Sequence, residues 1–128
     1  LDWRQTRDDT IQWTAWSPEA EQEALAAGKP VLIDFTADWC ITCKANKRTS
    51  IEIESVRAVI KEQGVVAMTG DYTNKDPRIT KVLQEHRRSG VPLVLIYSPG
   101  ENKPEVLPVM LTPQIVLDAL ENTGKASP

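Results

Sequence analysis

Two runs of residues in this chain leave almost no face for water. Val31-Leu32-Ile33-Asp34-Phe35-Thr36 and Leu93-Val94-Leu95-Ile96-Tyr97 are apolar or β-branched nearly throughout, which predicts strands covered on both sides. Covering both sides of a sheet takes helices, and helical patterns stand between the runs. Ser17-Pro18-Glu19 starts a first helix, with Ser as N-cap and Pro at the first position, and Gly28 stops it near Ala27. A long helix is predicted over residues 40–63, where Ile53, Val56, Val59 and Ile60 recur at helical spacing before Gly64. Residues 65–72 read as another strand. Asp76-Pro77 opens a helix with the apolar stripe Ile79, Val82 and Leu83, and Ser98-Pro99-Gly100 turns the chain after the second apolar run. Residues 105–111 suit an edge strand, where Pro108 is tolerated. Thr112-Pro113 then caps a last helix carrying Ile115, Val116, Ala119 and Leu120. The alternation predicts an α/β fold, a three-layer sandwich with a mixed central sheet flanked by helices.

The 128 residues suit one domain. Residues 1–10 are polar apart from Leu1 and Trp3 and are expected to be a linker or arm. The domain is expected over 11–122, with 123–128 a frayed tail. The first residue is Leu1, so the chain is read as a piece of a longer precursor. With 15 Lys and Arg against 18 Asp and Glu, the net charge of −3 gives no reason to expect nucleic acid as a partner. No apolar stretch approaches the roughly 20 residues that cross a bilayer, so no membrane span is expected in this chain. Two cysteines and one histidine fall one ligand short of a four-ligand zinc site, and no metal is expected. The domain is expected to be a monomer.

Both cysteines stand in one turn. Trp39-Cys40-Ile41-Thr42-Cys43-Lys44 lies where the first buried strand hands over to the long helix. At i and i+3 in a first helical turn, the two sulfurs share a face. The helix N-terminus, with its unpaired N–H groups and partial positive charge, favours a thiolate there. Cys40 is therefore the candidate nucleophile, and Cys43 the thiol that resolves the mixed disulfide. A structural disulfide, half of a metal site and two buried free thiols are the competing readings. The first removes little chain entropy over so short a loop, and the second finds only His86 as a further nitrogen ligand. Asp34 sits six residues before Cys40 inside the apolar run. Buried there, its carboxyl is expected to have a raised pKa and to exchange a proton with the resolving thiol, unless it faces solvent at a strand end. Gly90-Val91-Pro92 precedes the last buried run, and local sequence gives no reason to expect a cis bond there.

The stretch from Asp34 to Lys44, with its Thr-Ala-Asp-Trp-Cys-x-Thr-Cys-Lys wording, resembles the active site of the thioredoxin superfamily. Within it, the wording is most similar to the C-terminal periplasmic domain of the DsbD- and ScsB-type membrane thiol reductases. Gly70-Asp71-Tyr72-Thr73-Asn74-Lys75-Asp76-Pro77 and Ser89-Gly90-Val91-Pro92-Leu93 carry the same resemblance, which runs from about residue 13 to residue 120. It implies a thioredoxin-like sandwich in which Pro92 is a cis-proline facing the cysteines, while the Val91 backbone pairs with a substrate segment. Cys40 would attack, Cys43 would resolve and Asp34 would assist proton transfer. Trp39 precedes the nucleophile and is expected to flank it, either as packing or as a contact for partners. The redox-active disulfide would be the sole cofactor. Electrons would come from the transmembrane domain of the same membrane reductase, which also has an N-terminal domain, and pass to periplasmic thiol–disulfide proteins. A freestanding periplasmic oxidase or isomerase, and a non-catalytic binding module of the same fold, are the alternatives.

The chain departs from that pattern in places. Lys47 stands where DsbD-type domains often carry a glutamate, Ile41-Thr42 replaces the usual Gly-Pro between the cysteines, and Arg88 replaces an apolar residue. Lys44, Lys47 and Arg48 are expected to form a solvated helix face, and Arg88 to be a solvated loop residue. His86 is expected to be packed or half-exposed. Trp13 and Trp16 are expected to pack the first helix. No chemistry is assigned to Tyr72-Thr73-Asn74.

Overall fold

A computed structural model describes residues 10–125. Their strands form one mixed sheet of five in the order β1-β3-β2-β4-β5. The strands are β1 (Thr14–Ala15), β2 (Val31–Thr36), β3 (Val66–Asp71), β4 (Leu93–Tyr97) and β5 (Glu105–Val106). β3 runs parallel to β1 and β2, while β4 runs antiparallel to β2 and β5. The helices are α1 (Pro18–Ala26), α2 (Ile41–Asn46), α3 (Glu54–Gln63), α4 (Pro77–Glu85) and α5 (Pro113–Lys125). This is the expected sandwich.

Alternation along β2 divides the core. Val31, Ile33 and Phe35 join Trp16, Met68, Ile79, Leu83 and Leu95 on the face covered by α1 and α4. Leu32 joins Val56, Ile60, Val94, Ile96, Val116 and Leu120 on the face covered by α3 and α5. Period-two alternation puts Asp34 on this second face. The α1/α4 face is closely filled: a Cβ on Gly70 would overlap the Phe35 ring.

The expected caps are present. Ser17 Oγ accepts from the Ala20 N–H at 2.9 Å, and Asp76 Oδ1 from the Arg78 N–H at 2.9 Å. Gly28 and Gly64 take the left-handed conformation that ends α1 and α3.

The single helix expected over 40–63 is not there. α2 passes into a π-helical turn, Lys47–Ile51, and the chain leaves helical geometry at Glu52 before α3 begins. The reason is partly local, because Thr49-Ser50-Ile51 is a weak helix former and the Thr49 hydroxyl bonds back to the Ala45 carbonyl at 2.8 Å. It is also tertiary. The Asn46 side chain donates to the Val109 carbonyl at 2.8 Å and accepts from the Leu111 N–H at 3.1 Å, and the Ser50 hydroxyl donates to the Leu111 carbonyl at 3.2 Å. The expected edge strand over 105–111 shortens to Glu105–Val106. The Leu107 N–H still reaches the Val94 carbonyl at 3.0 Å, but Pro108 has no N–H to continue the ladder. At the other edge, Thr14–Ala15 forms a strand that the sequence pattern did not suggest. The frayed end expected from 123 is also revised. α5 continues to Lys125, and the buried Thr123 hydroxyl bonds Gln63 Oε1 at 2.8 Å. Residues 1–9 of the arm expected over 1–10, and residues 126–128 of the expected tail, lie outside the described residues.

Candidate active site

β2 ends at Thr36, and the next residues carry the chain into α2 at the end of the sheet where β4 begins. Cys40 is the N-cap of α2, and its sulfur accepts the Cys43 N–H at 3.1 Å. The two cysteines are joined in a disulfide, with Cα atoms 5.2 Å apart. The bridge is recessed. Cys40 is 6% exposed and Cys43 2%, whereas the flanking Trp39 and Ile41 are 51% and 84% exposed.

Register brings the proline to the same end. Phe35 pairs with Leu93, so Pro92 lies just beyond β4, level with the exit of β2. The Val91–Pro92 bond is cis, as the resemblance implied and the local sequence did not. Arg88 fixes this turn. Its guanidinium donates to the Pro92 carbonyl at 3.1 Å and the Leu107 carbonyl at 3.0 Å. The expectation of a solvated loop arginine is therefore corrected. Arg88 ties the proline turn to the chain leaving β5.

Trp39 is held from the other side. Its indole N–H donates to the Thr73 carbonyl at 3.1 Å, and the Asp38 N–H donates to the Thr73 hydroxyl at 2.9 Å. Asp71 accepts the Thr73 N–H at 2.9 Å, and the Thr73 hydrogen bonds hold the Asp71 carboxyl below its usual range. The Trp39 ring lies 6.5 Å from that of Tyr72, and the Lys75 ammonium stands 5.7 Å from the Trp39 centroid. Tyr72-Thr73, given no role from sequence, is thus the brace for the tryptophan beside the disulfide. The Asx-like Asp-x-Thr spacing was the available signal.

Asp34 is 2% exposed, so the solvent-facing alternative is excluded. Burial pushes its carboxyl pKa up, and the charge of Lys47 works against that rise. Lys47 Nζ lies 3.2 Å from Asp34 Oδ2. The Lys47 ammonium also sits 4.3 Å from the centroid of the Trp13 ring. Two expectations change here. Lys47 turns inward instead of joining a solvated face, and Trp13 packs against the π turn while only Trp16 serves α1, donating its indole N–H to Glu21 at 2.8 Å. Spacing could have shown the first, because residues 43 and 47 are one turn apart.

Cys43, Lys44, Lys47, Arg48, Asp38 and Asp71 line an open cleft of 440 Å³ beside the disulfide. His86, half-buried at the end of α4, is not among its lining residues. Among the described residues no three His, Cys, Asp or Glu side chains converge to hold a metal, and no helix is long and apolar enough to cross a membrane. The site can open to two thiols one helical turn apart, beside a solvent cleft lined by Cys43 and by Lys47, the partner of the buried Asp34 carboxyl.

The chain is similar to known proteins. The family model described as thioredoxin-like matches residues 12–99. The chain is 36% identical over 78 residues, 61% of its length, to the thiol:disulfide interchange protein DsbD 1 of Pseudomonas aeruginosa, and covers 13% of that protein. It is 31% identical over 104 residues, 80% of its length, to DsbD of Vibrio cholerae, covering 17% of that protein. The oxidised C-terminal domain of Neisseria meningitidis DsbD superposes with a TM-score of 0.66 at 23% identity, over 86% of this chain and 98% of that domain. A thioredoxin from Thermus thermophilus gives 0.68 at 18% identity, over 89% of this chain and 87% of that one. These two superpositions carry the fold.

Proposed function

The chain belongs to the thioredoxin-like family, and on that premise we propose that it is a protein-disulfide reductase domain working by dithiol–disulfide exchange. The observation that carries this is the Cys40–Cys43 bridge capping a helix at the sheet end where the cis-proline turn lies. Cys40 is the attacking thiol. The Cys43 N–H aimed at its sulfur and the helix terminus both favour the thiolate. Cys43, more deeply buried, resolves the mixed disulfide, and Asp34 handles the proton. Trp39, Val91 and Pro92 receive the partner, whose extended segment adds to the Val91 backbone.

The similarity to DsbD proteins supports a place within a longer membrane reductase, since the chain covers only 13% of the Pseudomonas protein. In that setting the domain is periplasmic, takes electrons from a transmembrane domain and passes them to periplasmic thiol proteins. We place the redox domain between Ile11 and the end of α5. The test is mixed-disulfide trapping with a disulfide-bearing protein substrate. Cys40→Ser is expected to abolish exchange, while Cys43→Ser accumulates a covalent complex through Cys40. Equal trapping by both variants would reverse the reading.

A further inference from the structure

Arg88 is held more firmly than a loop arginine needs to be. Arg87 takes the left-handed conformation at φ 57, and α4 closes with the Arg87 N–H on the Gln84 carbonyl at 3.0 Å and the Arg88 N–H on the Leu83 carbonyl at 2.8 Å. This Schellman pattern fixes the Arg88 backbone to a helix whose Ile79 and Leu83 are buried in the core. From there the guanidinium donates to the Pro92 carbonyl at 3.1 Å and to the Leu107 carbonyl at 3.0 Å. It makes no ion pair with a described residue, so these two carbonyls are what its charge acts on.

The two carbonyls belong to chains that are parting. β4 and β5 pair as far as Leu95 with Val106, and the Leu107 N–H still reaches the Val94 carbonyl at 3.0 Å. Two residues further, antiparallel register would set Pro92 against Val109. By then the chain has turned away, with the Val109 carbonyl and the Leu111 N–H bonded to Asn46 of α2. The Arg88 fork thus supplies donors to Pro92 and Leu107 where the ladder ends. Segment 107–111 is anchored to the proline turn by Arg88 at one end and to the cysteine-bearing helix by Asn46 at the other. Val91 packs against the cluster that contains Cys40 and Cys43. Among the described residues none hydrogen-bonds the Val91 N–H or carbonyl.

We propose that Arg88 is a positioning residue for partner docking: it holds the proline turn against the chain leaving β5, so that the Val91 backbone meets an extended partner segment in a fixed place. The proposal rests on the exchange reading above. Arg88 acts on how a polypeptide is received, while the sulfur chemistry has its own local support in the Cys43 N–H at Cys40 Sγ. An apolar side chain at 88 would leave both carbonyls without these donors and the turn without its tie to α4 and β5. A polypeptide would then have to order the turn as it binds, which costs affinity. A small disulfide that forms no backbone pairing would not.

The experiment uses the full reduced chain and two probes with the same reacting bond. Each is a cysteine joined to an aromatic thiol as a mixed disulfide, once as the single blocked amino acid and once within an extended peptide of Ala and Thr. The Cys40 thiolate attacks the cysteine sulfur of the probe. The Cys40–probe bond forms, the S–S bond of the probe breaks, and the aryl thiolate leaves with the electron pair, its release followed by absorbance. Varying the peptide concentration separates half-saturation from the limiting rate. Arg88→Leu is expected to raise the half-saturating peptide concentration by roughly tenfold, while the limiting rate and release from the single amino acid stay within about twofold of the unaltered chain. Arg88→Lys keeps the charge without the fork and should fall between the two; it carries the same comparison if Arg88→Leu does not fold. Equal slowing with both probes, no change with either, or no advantage of the peptide in the unaltered chain would overturn the proposal while leaving exchange intact. Absence of aryl thiolate release from the unaltered chain with both probes would instead overturn the exchange reading itself.

Discussion

Burial strips water from the Asp34 carboxyl, so its charged form is penalised and its pKa rises above the ordinary 3.8, with Lys47 opposing. The sign for stability follows. Between 3.8 and the raised folded value, the folded state binds more protons than the unfolded chain. Stability therefore falls as pH rises through that window, by about 1.4 kcal/mol per pH unit for this one group, and levels off above it. Asp34→Asn removes the penalty. It is expected to unfold at higher urea concentration than the unaltered protein at neutral pH, with the gain shrinking as pH falls toward 3.8. Urea melts across pH, at unchanged m, measure this; a difference that stays constant with pH would assign the effect to packing instead. The charge of Asp34 is thus costly to the fold. Its burial could be read from the apolar run around it. Its partner was legible only in part: the spacing puts Lys47 one turn after Cys43, but only the tertiary structure shows that Asp34 lies beneath it.

Elements whose signals are local were legible, and those shaped by distant bonds were not. β2 and β4 announce themselves as unbroken apolar runs, and α1 and α4 by Ser17-Pro18 and Asp76-Pro77 at their starts. The break between α2 and α3 has no such mark. Ile53, Val56 and Ile60 continue at helical spacing, while the π turn before them is held by a segment more than sixty residues away in sequence, through Asn46 and Ser50. That same segment follows β5 and carries Val109 and Met110, both exposed, and the two Asn46 bonds fix its course past the end of α2. Asn46→Ala leaves the buried Leu111 N–H and the Val109 carbonyl without these partners. The expected loss is about 1–3 kcal/mol in chemical unfolding. Hydrogen exchange at Leu111 should quicken more than at the β2 and β4 amides. Equal quickening throughout would mean a general loss of stability in place of a local anchor.

The apolar clusters on the two faces of the sheet bury Phe35, Leu83 and Leu95 on one side and Val56, Val116 and Leu120 on the other, so the fold does not depend on the disulfide. The bridge spans a sequence separation of 3; closing so short a loop is worth about 2 kcal/mol in chain entropy. Whether that entropy appears as stability depends on how the folded protein treats the two redox states. Any preference of the fold for disulfide over dithiol equals the stability gained on oxidation, and about 1.4 kcal/mol corresponds to roughly 30 mV in potential. The Cys43 N–H at Cys40 Sγ and the helix terminus favour a thiolate and so work for the reduced state. A domain that donates electrons needs the balance to fall on the oxidised side. We therefore expect both forms to be folded, with the oxidised form melting a few degrees higher, measured by circular dichroism with and without excess reductant. The opposite order would make the pair an oxidant: the exchange chemistry of Cys40 and Cys43 would stand, but the electrons would flow from the partner into this domain.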